Sequence, residues 1–371
     1  MPIQKITIEQ FLELSTQHPV LDVRSPGEYL QAHIPGAYSL PLFTDEERKI
    51  VGTAYKQQSR QTAIKIGLDH FGGKMRKMVE EVEQLTAEKW LMGEKQNLKT
   101  DNHISTNTVL VHCWRGGMRS AGVAWLLDLY GFKVYTLVGG YKAYRKWVRD
   151  QFENSYQLTV VGGYTGSAKT GVLHELKQDL SNVIDLEALA NHKGSAFGAL
   201  RELKQPTQEM FENLLGRELN HLKNSLTQHA FIEDESQRIG LLKIPDAFWA
   251  TMRKSRIYFL DIPFEARLNF LTTDYGRHEK ESLINSIIRI KKRLGGLETK
   301  MAICFLVEDN YKECFRILLK YYDKWYSKGL DSRENLNGLL HKISCDTIDV
   351  KPNAEKILEE LKNFSPAESN N

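Results

Sequence analysis

Cysteine is scarce in this chain, with four residues (Cys113, Cys304, Cys314 and Cys345) among 371. Their number and irregular spacing exclude a disulfide framework and a paired-cysteine zinc site, so a reducing, cytoplasmic setting is expected. No segment approaches the roughly 18 uncharged apolar residues of a membrane span, which excludes a membrane-embedded chain. The first residues, Met1-Pro2-Ile3-Gln4-Lys5, lack the basic stretch, apolar core and cleavage site of a secretory signal, and export is not expected. Net charge is nearly absent: 50 Lys+Arg against 47 Asp+Glu leave +3, divided as +4 over residues 1–150 and −1 over the remainder. Composition alone therefore does not announce a nucleic-acid partner, and local patches must carry that argument. Internal repeats are missing as well.

What is present reads as α/β. At roughly 150 residues per domain the length predicts two domains, or three small ones. Apolar, β-branched segments at residues 19–24, 108–112 and 133–138 are strands, and 121–129 has helical spacing, which implies a mostly parallel sheet flanked by helices. The polar stretch at about 44–106 reads as a helical insertion. A helix-like link from Tyr141 to about Phe152 leads into a second α/β unit, with strands at 158–161, 182–186, 231–233 and 256–260. The expected domains are thus 1–150, then 151–278, a helical C-terminal region over 279–363, and a disordered tail at 364–371.

The first constellation with chemical content is His112-Cys113-Trp114-Arg115-Gly116-Gly117-Met118-Arg119-Ser120, set between a strand and a helix. A cysteine at the carboxyl end of a strand, followed by a glycine turn that opens a helix, has backbone N–H groups converging on its sulfur. Those dipoles, with Arg115 and Arg119 nearby, stabilise a thiolate. Arg119 is expected to close this cradle with two parallel donors to an oxyanion or persulfide. The commoner fate of a lone cysteine is burial in a core, but glycines and arginines around it have no packing rationale.

The second constellation is Gly163-Tyr164-Thr165-Gly166-Ser167-Ala168-Lys169-Thr170, which follows a strand and opens a helix. It reads as a phosphate-binding loop: backbone N–H groups wrap a diphosphate, Lys169 neutralises its outer charge, and Thr170 is placed to hold Mg²⁺. Ala168 stands where glycine is expected, so a methyl group is predicted to crowd the turn. Downstream, Glu233 and Asp234 end a strand in the manner of carboxylates delivered to a metal-phosphate site. Asp185, and His192 in the polar loop that follows and runs through Gly198, are candidates to meet a substrate. Acidic strand ends and solvated loops are equally ordinary surface features, and no metal site is assigned.

The loop at Cys113, with the upstream Asp22-Val23-Arg24, Glu28 and His33-Ile34-Pro35-Gly36-Ala37, resembles a rhodanese domain. Rhodanese loops usually end one step closer to the cysteine. Here five residues separate Cys113 from Arg119, and the longer ring resembles the phosphatase loop, which wraps a tetrahedral oxyanion. A rhodanese-like domain followed by a phosphate-loop domain is more specific than either alone. Together with Tyr55 to Arg60, Asp185-Leu186-Glu187, His192 to Gly198, Glu233 to Gly240 and Lys292 to Gly296, that order resembles the tRNA 2-selenouridine synthases over residues from about 5 to 360.

The resemblance implies that 2-thiouridine at the wobble position of tRNA (Lys, Glu and Gln acceptors) is S-geranylated from geranyl diphosphate and converted to 2-selenouridine with selenophosphate. It further implies a selenylsulfide on Cys113 flanked by Arg115 and Arg119, donor binding at the second loop, Mg²⁺ as an accessory ion, and an enzyme that supplies selenophosphate as a partner. RNA would be held by basic faces: Lys142, Arg145, Lys146 and Arg149 on the linking helix, and Arg289, Lys292 and Arg293 further on. Two other readings stay open on the residues alone. One is a Cys-x5-Arg phosphatase or sulfurtransferase with a regulatory second domain; the other is a non-enzymatic carrier or RNA-binding scaffold.

Overall fold

The computed structural model describes residues 3–93, 107–178, 181–193, 204–276 and 278–364. Outside them lie the 94–106 end of the insertion, Gly194–Gly198 of the polar segment and 365–371 of the expected tail; Phe364 ends a helix. The chain forms two compact units, Met1–Asp150 and Gln151–Asn371.

In the first unit five parallel strands lie in the order Gln4–Ile6, Lys133–Leu137, Thr108–His112, Val20–Asp22, Tyr38–Ser39. The middle strand, Thr108–His112, is buried at every position, as its continuous apolar run requires. The insertion forms the helices Asp45–Gln57, Arg60–Gly72 and Met75–Gly93. Thr44 and Ser59 cap the first two, accepting from Glu47 N and Thr62 N. Met78, Val79 and Val82 of the third share a core with Val109, Val111 and Cys113, so the insertion helps bury the central strand.

The second unit has five parallel strands in the order Leu340–Ser344, Arg256–Asp261, Gln157–Gly163, His229–Glu233, Asn182–Ile184. Gln157–Gly163 is central, so the loop that follows it opens at the carboxyl edge of the sheet, where parallel α/β folds place ligands. The helices Phe264–Tyr275, Lys280–Leu294, Gly296–Val307 and Tyr311–Asp331 pack around a core that includes Leu268, Ile287, Leu306 and Leu318. The stretch 279–363, expected to be helical, also contains the strand Leu340–Ser344, which joins the sheet edge beside Arg256–Asp261. Its His and Lys face partial solvent and leave no apolar alternation to read. The last helix, Val350–Phe364, shares a core with helix Lys169–Gln178. A side chain on Gly171 would approach Val350 Cγ1 to 2.7 Å, so glycine permits that contact. Among the described residues no helix is long and apolar enough to cross a membrane.

Candidate active site

Cys113 follows the buried strand Thr108–His112 and precedes helix Met118–Tyr130; it is 3% exposed. The amides of Tyr141 and Lys142 donate to the carbonyls of Cys113 (2.8 Å) and Trp114 (3.0 Å), tying the loop to the start of helix Gly140–Phe152. Gly140 has φ +58, and a Cβ there would meet Cys113 O at 2.3 Å and Gly116 N at 2.4 Å. Gly139-Gly140, which in sequence only closes a strand, is thus the seat of the cysteine loop. The buried pair Asp22–Arg24 supports it from below: Arg24 bonds Asp22 and the Ala32 carbonyl, and its guanidinium lies 3.7 Å from the ring centroid of Tyr141.

The sulfur sits 3.2 Å from Ser120 Oγ, whose hydroxyl also lies 3.0 Å from the Gly117 carbonyl. Burial alone would raise the Cys113 pKa. The Ser120 hydroxyl, the N–H groups of Ser120 and Arg115, and the charge of Arg119 outweigh it, so the thiol titrates below its ordinary value. Cys314 and Cys345, by contrast, are pushed up by burial, Cys314 to about 12. Ser120 is a contributor that sequence reasoning passed over.

The guanidinium of Arg119, expected to meet an oxyanion or persulfide at Cys113, donates to Glu28, Nη1 to Oε2 at 2.6 Å and Nη2 to Oε1 at 3.4 Å. A carboxylate is the stronger acceptor, and helix Pro26–Gln31 delivers it beside the loop. Arg119 therefore acts on Cys113 through its charge. Arg115 is exposed and contributes its backbone N–H. Burial raises the Glu28 pKa, but Arg119, the Ser25 N–H and Arg48 hold it at about 2. Because the folded value lies below the unfolded one, the stabilisation is complete above about pH 4.5 and is lost as pH falls toward 2. Glu28→Gln should lower stability by ~1 kcal/mol at pH 7, the scale of a partly exposed, hydrogen-bonded pair. Urea unfolding at pH 7 and pH 3 checks this: the gap between variant and parent should narrow at the lower pH.

In the second unit, Gly163 (φ +150) and Gly166 (φ +82) shape the loop, and Ala168 has φ +52. The expected departure from glycine is thus a real one: an L-residue occupies the left-handed region, at a cost of about 1–2 kcal/mol. Ala168→Gly relieves it while adding about 0.5–1 kcal/mol of chain entropy to be lost on folding. A thermal midpoint about 2 °C higher, read by differential scanning calorimetry, is the expected result. Lys169 Nζ donates to the Gly163 carbonyl at 2.9 Å, folded back across the loop. Thr170 Oγ1 donates to Glu187 Oε2 at 2.9 Å, and Arg267, 3% exposed, donates to the Thr165 carbonyl while forking onto Asp323. Tyr326 OH accepts from Gly163 N (3.2 Å) and donates to Asp234 (2.6 Å), whose other oxygen pairs with Arg333. Helix Tyr311–Asp331 thereby grips the end of the central strand.

The acidic candidates divide by role. Asp185 caps helix Leu186–Ala190 through Ala188 N (2.8 Å) and pairs with His174 (2.8 Å), while Asp234 anchors Tyr326 and Arg333. Glu233 is 1% exposed and accepts from Glu187 N at 2.7 Å. Burial, reinforced by Glu235, Glu187 and Asp185, raises its pKa; burial and Glu187 push Glu235 up to about 8 against the pull of Lys169. Burial thus disfavours charge on both carboxyls beside the loop. His192 lines the same space, its pKa lowered chiefly by burial.

That space is a cleft of about 970 Å³. It is lined by Thr165 to Gly171 with Glu187, Glu233 and Glu235, and by the apolar and aromatic Trp249, Tyr321, Tyr322, Trp325 and Leu330. Arg293, placed by sequence in an RNA patch, lines the cleft with its guanidinium 5.9 Å from the Trp325 ring, and Arg289 and Lys292 are exposed. On helix Gly140–Phe152, Lys142, Lys146 and Arg149 are exposed and Arg145 half-buried, with Tyr141, Tyr144 and Val148 buried on its other face. Neither the aromatic wall nor Tyr326 and Arg267 has a sequence signature, because the helices that carry them are joined to the loop only by folding.

Thr170 meets one requirement of an accessory Mg²⁺: its proton is taken by Glu187, which leaves its oxygen lone pairs available. Among the described residues no group of three His, Cys, Asp or Glu is arranged to hold a metal on its own.

Residues 7–146 match the family model of the rhodanese-like domain, and residues 156–342 that of the tRNA 2-selenouridine synthase AAA domain. The tRNA 2-selenouridine synthase of Shewanella piezotolerans is 32% identical over 366 residues, covering 90% of this chain and 94% of its own length. That of Sulfurovum is 32% identical over 365 residues, 89% and 93% respectively. The Nitrosomonas europaea protein of the same name is 38% identical over 265 residues, and the match spans 69% of this chain and 63% of the relative. On a domain match that covers half of the sequence and on relatives aligned along nearly all of it, the chain belongs to the tRNA 2-selenouridine synthase family.

Proposed function

We propose that this protein converts wobble 2-thiouridine in tRNA to 2-selenouridine by way of the S-geranyl derivative. The observation that carries the reading is the pairing, in one chain, of a thiolate-stabilising loop at Cys113 with a phosphate loop that opens into an aromatic-walled cleft. A thiocarbonyl sulfur leaves poorly, whereas its S-alkyl form departs as a thiol once a nucleophile has added at C2.

The first step belongs to the cleft. The loop amides from Gly163 to Thr170 and Lys169 bind the diphosphate of geranyl diphosphate, Lys169 swinging from the Gly163 carbonyl to the anion. Its charge then meets the charge that grows on the leaving diphosphate. A Mg²⁺ ion held by Thr170, with Glu187 orienting the hydroxyl, would supply further charge neutralisation. Burial disfavours charge on Glu233 and Glu235, which lowers their repulsion of the anion. Trp249, Tyr321, Tyr322 and Trp325 offer apolar contact to the prenyl chain and ring faces to positive charge developing at its allylic carbon.

The second step belongs to Cys113, whose thiolate opens the donor selenophosphate; the resemblance implies a selenylsulfide there. Exposed Lys142, Lys146 and Arg149, with Arg145, and exposed Arg289 and Lys292 provide phosphate contacts for the tRNA. Nucleoside mass spectrometry of 2-thiouridine tRNA incubated with the protein, geranyl diphosphate and selenophosphate tests the reading. S-geranyl-2-thiouridine with the first donor alone, and 2-selenouridine with both, is the expected outcome; unchanged 2-thiouridine would refute it.

A further inference from the structure

Selenophosphate offers a thiolate two atoms to attack. Attack on selenium makes the S–Se bond of a selenylsulfide and expels phosphorus with the electron pair of the broken Se–P bond, as phosphite. Ending at phosphate would then require an oxidant. Attack on phosphorus makes an S–P bond, and the pair from the broken P–Se bond leaves on selenium as hydrogenselenide. Neither element changes oxidation state.

The geometry of the loop fits the second course. Five residues between Cys113 and Arg119 make a ring wide enough for a tetrahedral group, and Gly116 and Gly117 put no side chain into it. Among the described residues the N–H groups of Gly116 and Gly117 donate to no backbone carbonyl, while those of Arg115 and Ser120 point at the sulfur. Such a nest of amides suits the three oxygens of a phosphoryl group rather than one selenium atom. Glu28 engages Arg119 through Nη1 and Nη2, which leaves the Nε edge of the guanidinium without a partner among the described residues, available to an oxyanion. Ser120 Oγ, 3.2 Å from Sγ, donates to the Gly117 carbonyl and needs only to turn its hydroxyl to donate to the sulfur when it must later leave as thiolate.

We propose that Cys113 accepts the phosphoryl group of selenophosphate and that selenium leaves as hydrogenselenide, the nucleophile for C2 of the S-geranyl base. The sulfur forms a bond to phosphorus as the P–Se bond breaks. Hydrogenselenide adds at C2 and the geranyl thiolate departs; water then cleaves the S–P bond, releasing phosphate and regenerating the Cys113 thiol. No oxidant or reductant is consumed. This step rests on the proposed selenation, and it replaces the selenylsulfide as the covalent intermediate on Cys113.

The full-length protein mixed with ³²P- or ⁷⁵Se-labelled selenophosphate, denatured within milliseconds and separated from free donor, gives the test. The expected result is ³²P on the protein, absent in Cys113→Ala, retained after dithiothreitol, with no ⁷⁵Se. Ser120→Ala should hold about tenfold more ³²P, since the thiolate leaves without its hydrogen bond while the oxyanion contacts persist. Label from ⁷⁵Se without ³²P, removed by dithiothreitol, would restore the selenylsulfide and overturn the proposal. So would neither label on a protein that still makes 2-selenouridine at its normal rate. A protein that traps ³²P on Cys113 but makes no 2-selenouridine would leave the phosphoryl transfer standing and sink the selenation reading instead.

Discussion

Cys113→Ala will leave the geranyl transfer intact and stop the selenium step, so that S-geranyl-2-thiouridine accumulates in tRNA given both donors. The reason is positional. Cys113 lies at the end of the strand Thr108–His112 with Ser120, two amides and the charge of Arg119 all favouring its thiolate, and it does not line the cleft proposed to receive the diphosphate. Loss of a nucleophile that acts with its surroundings as a unit costs a factor of about 10³ or more in rate. Nucleoside mass spectrometry reads both products in one digest. Normal 2-selenouridine formation by the variant would remove the cysteine from the mechanism.

The opposite defect is expected of Lys169→Ala. Its ammonium is the lysine charge of the phosphate loop, resting on the Gly163 carbonyl at 2.9 Å and 5.8 Å from the Tyr326 ring centroid. Without it the leaving diphosphate loses its main side-chain counter-charge, and geranylation should fall by about 10²–10³. The fold should survive, because the lysine makes one hydrogen bond to a backbone carbonyl and fills no core; an unchanged far-ultraviolet circular dichroism spectrum checks that. Geranylation at the parent rate would take the loop out of donor binding.

Much of this organisation is legible in the sequence because it is local. The strands at 108–112, 133–137 and 157–163 are long, buried and β-branched, and each is followed by a glycine-containing turn whose chemistry can be named before any fold is known. The strand at 340–344 is not legible: it has one buried residue and takes its place only by pairing with Arg256–Asp261. The same limit governs the sites. Cys113 and Lys169 announce themselves, whereas Glu28 on Arg119, Tyr326 on the Gly163 amide and the wall of Trp249, Tyr321 and Trp325 are contacts across long sequence separations. Arg119 shows how such a contact revises a local reading. Its spacing from Cys113 suggests donors to an anion on the sulfur, and the fold adds a carboxylate 91 residues away that engages Nη1 and Nη2 and orients the charge. Ala168 shows the reverse case, since the missing glycine in the pattern reappears as a left-handed backbone in the fold.

The division of labour between the two loops is the central claim, and it is tested most directly by supplying tRNA already carrying S-geranyl-2-thiouridine to Lys169→Ala together with selenophosphate. Here the variant has no diphosphate to bind, and the intact Cys113 loop should convert the nucleoside to 2-selenouridine at close to the parent rate, as measured by mass spectrometry over time. A variant that folds normally but leaves the geranylated nucleoside unchanged would mean that both steps pass through one shared site, in contradiction to the two-loop account.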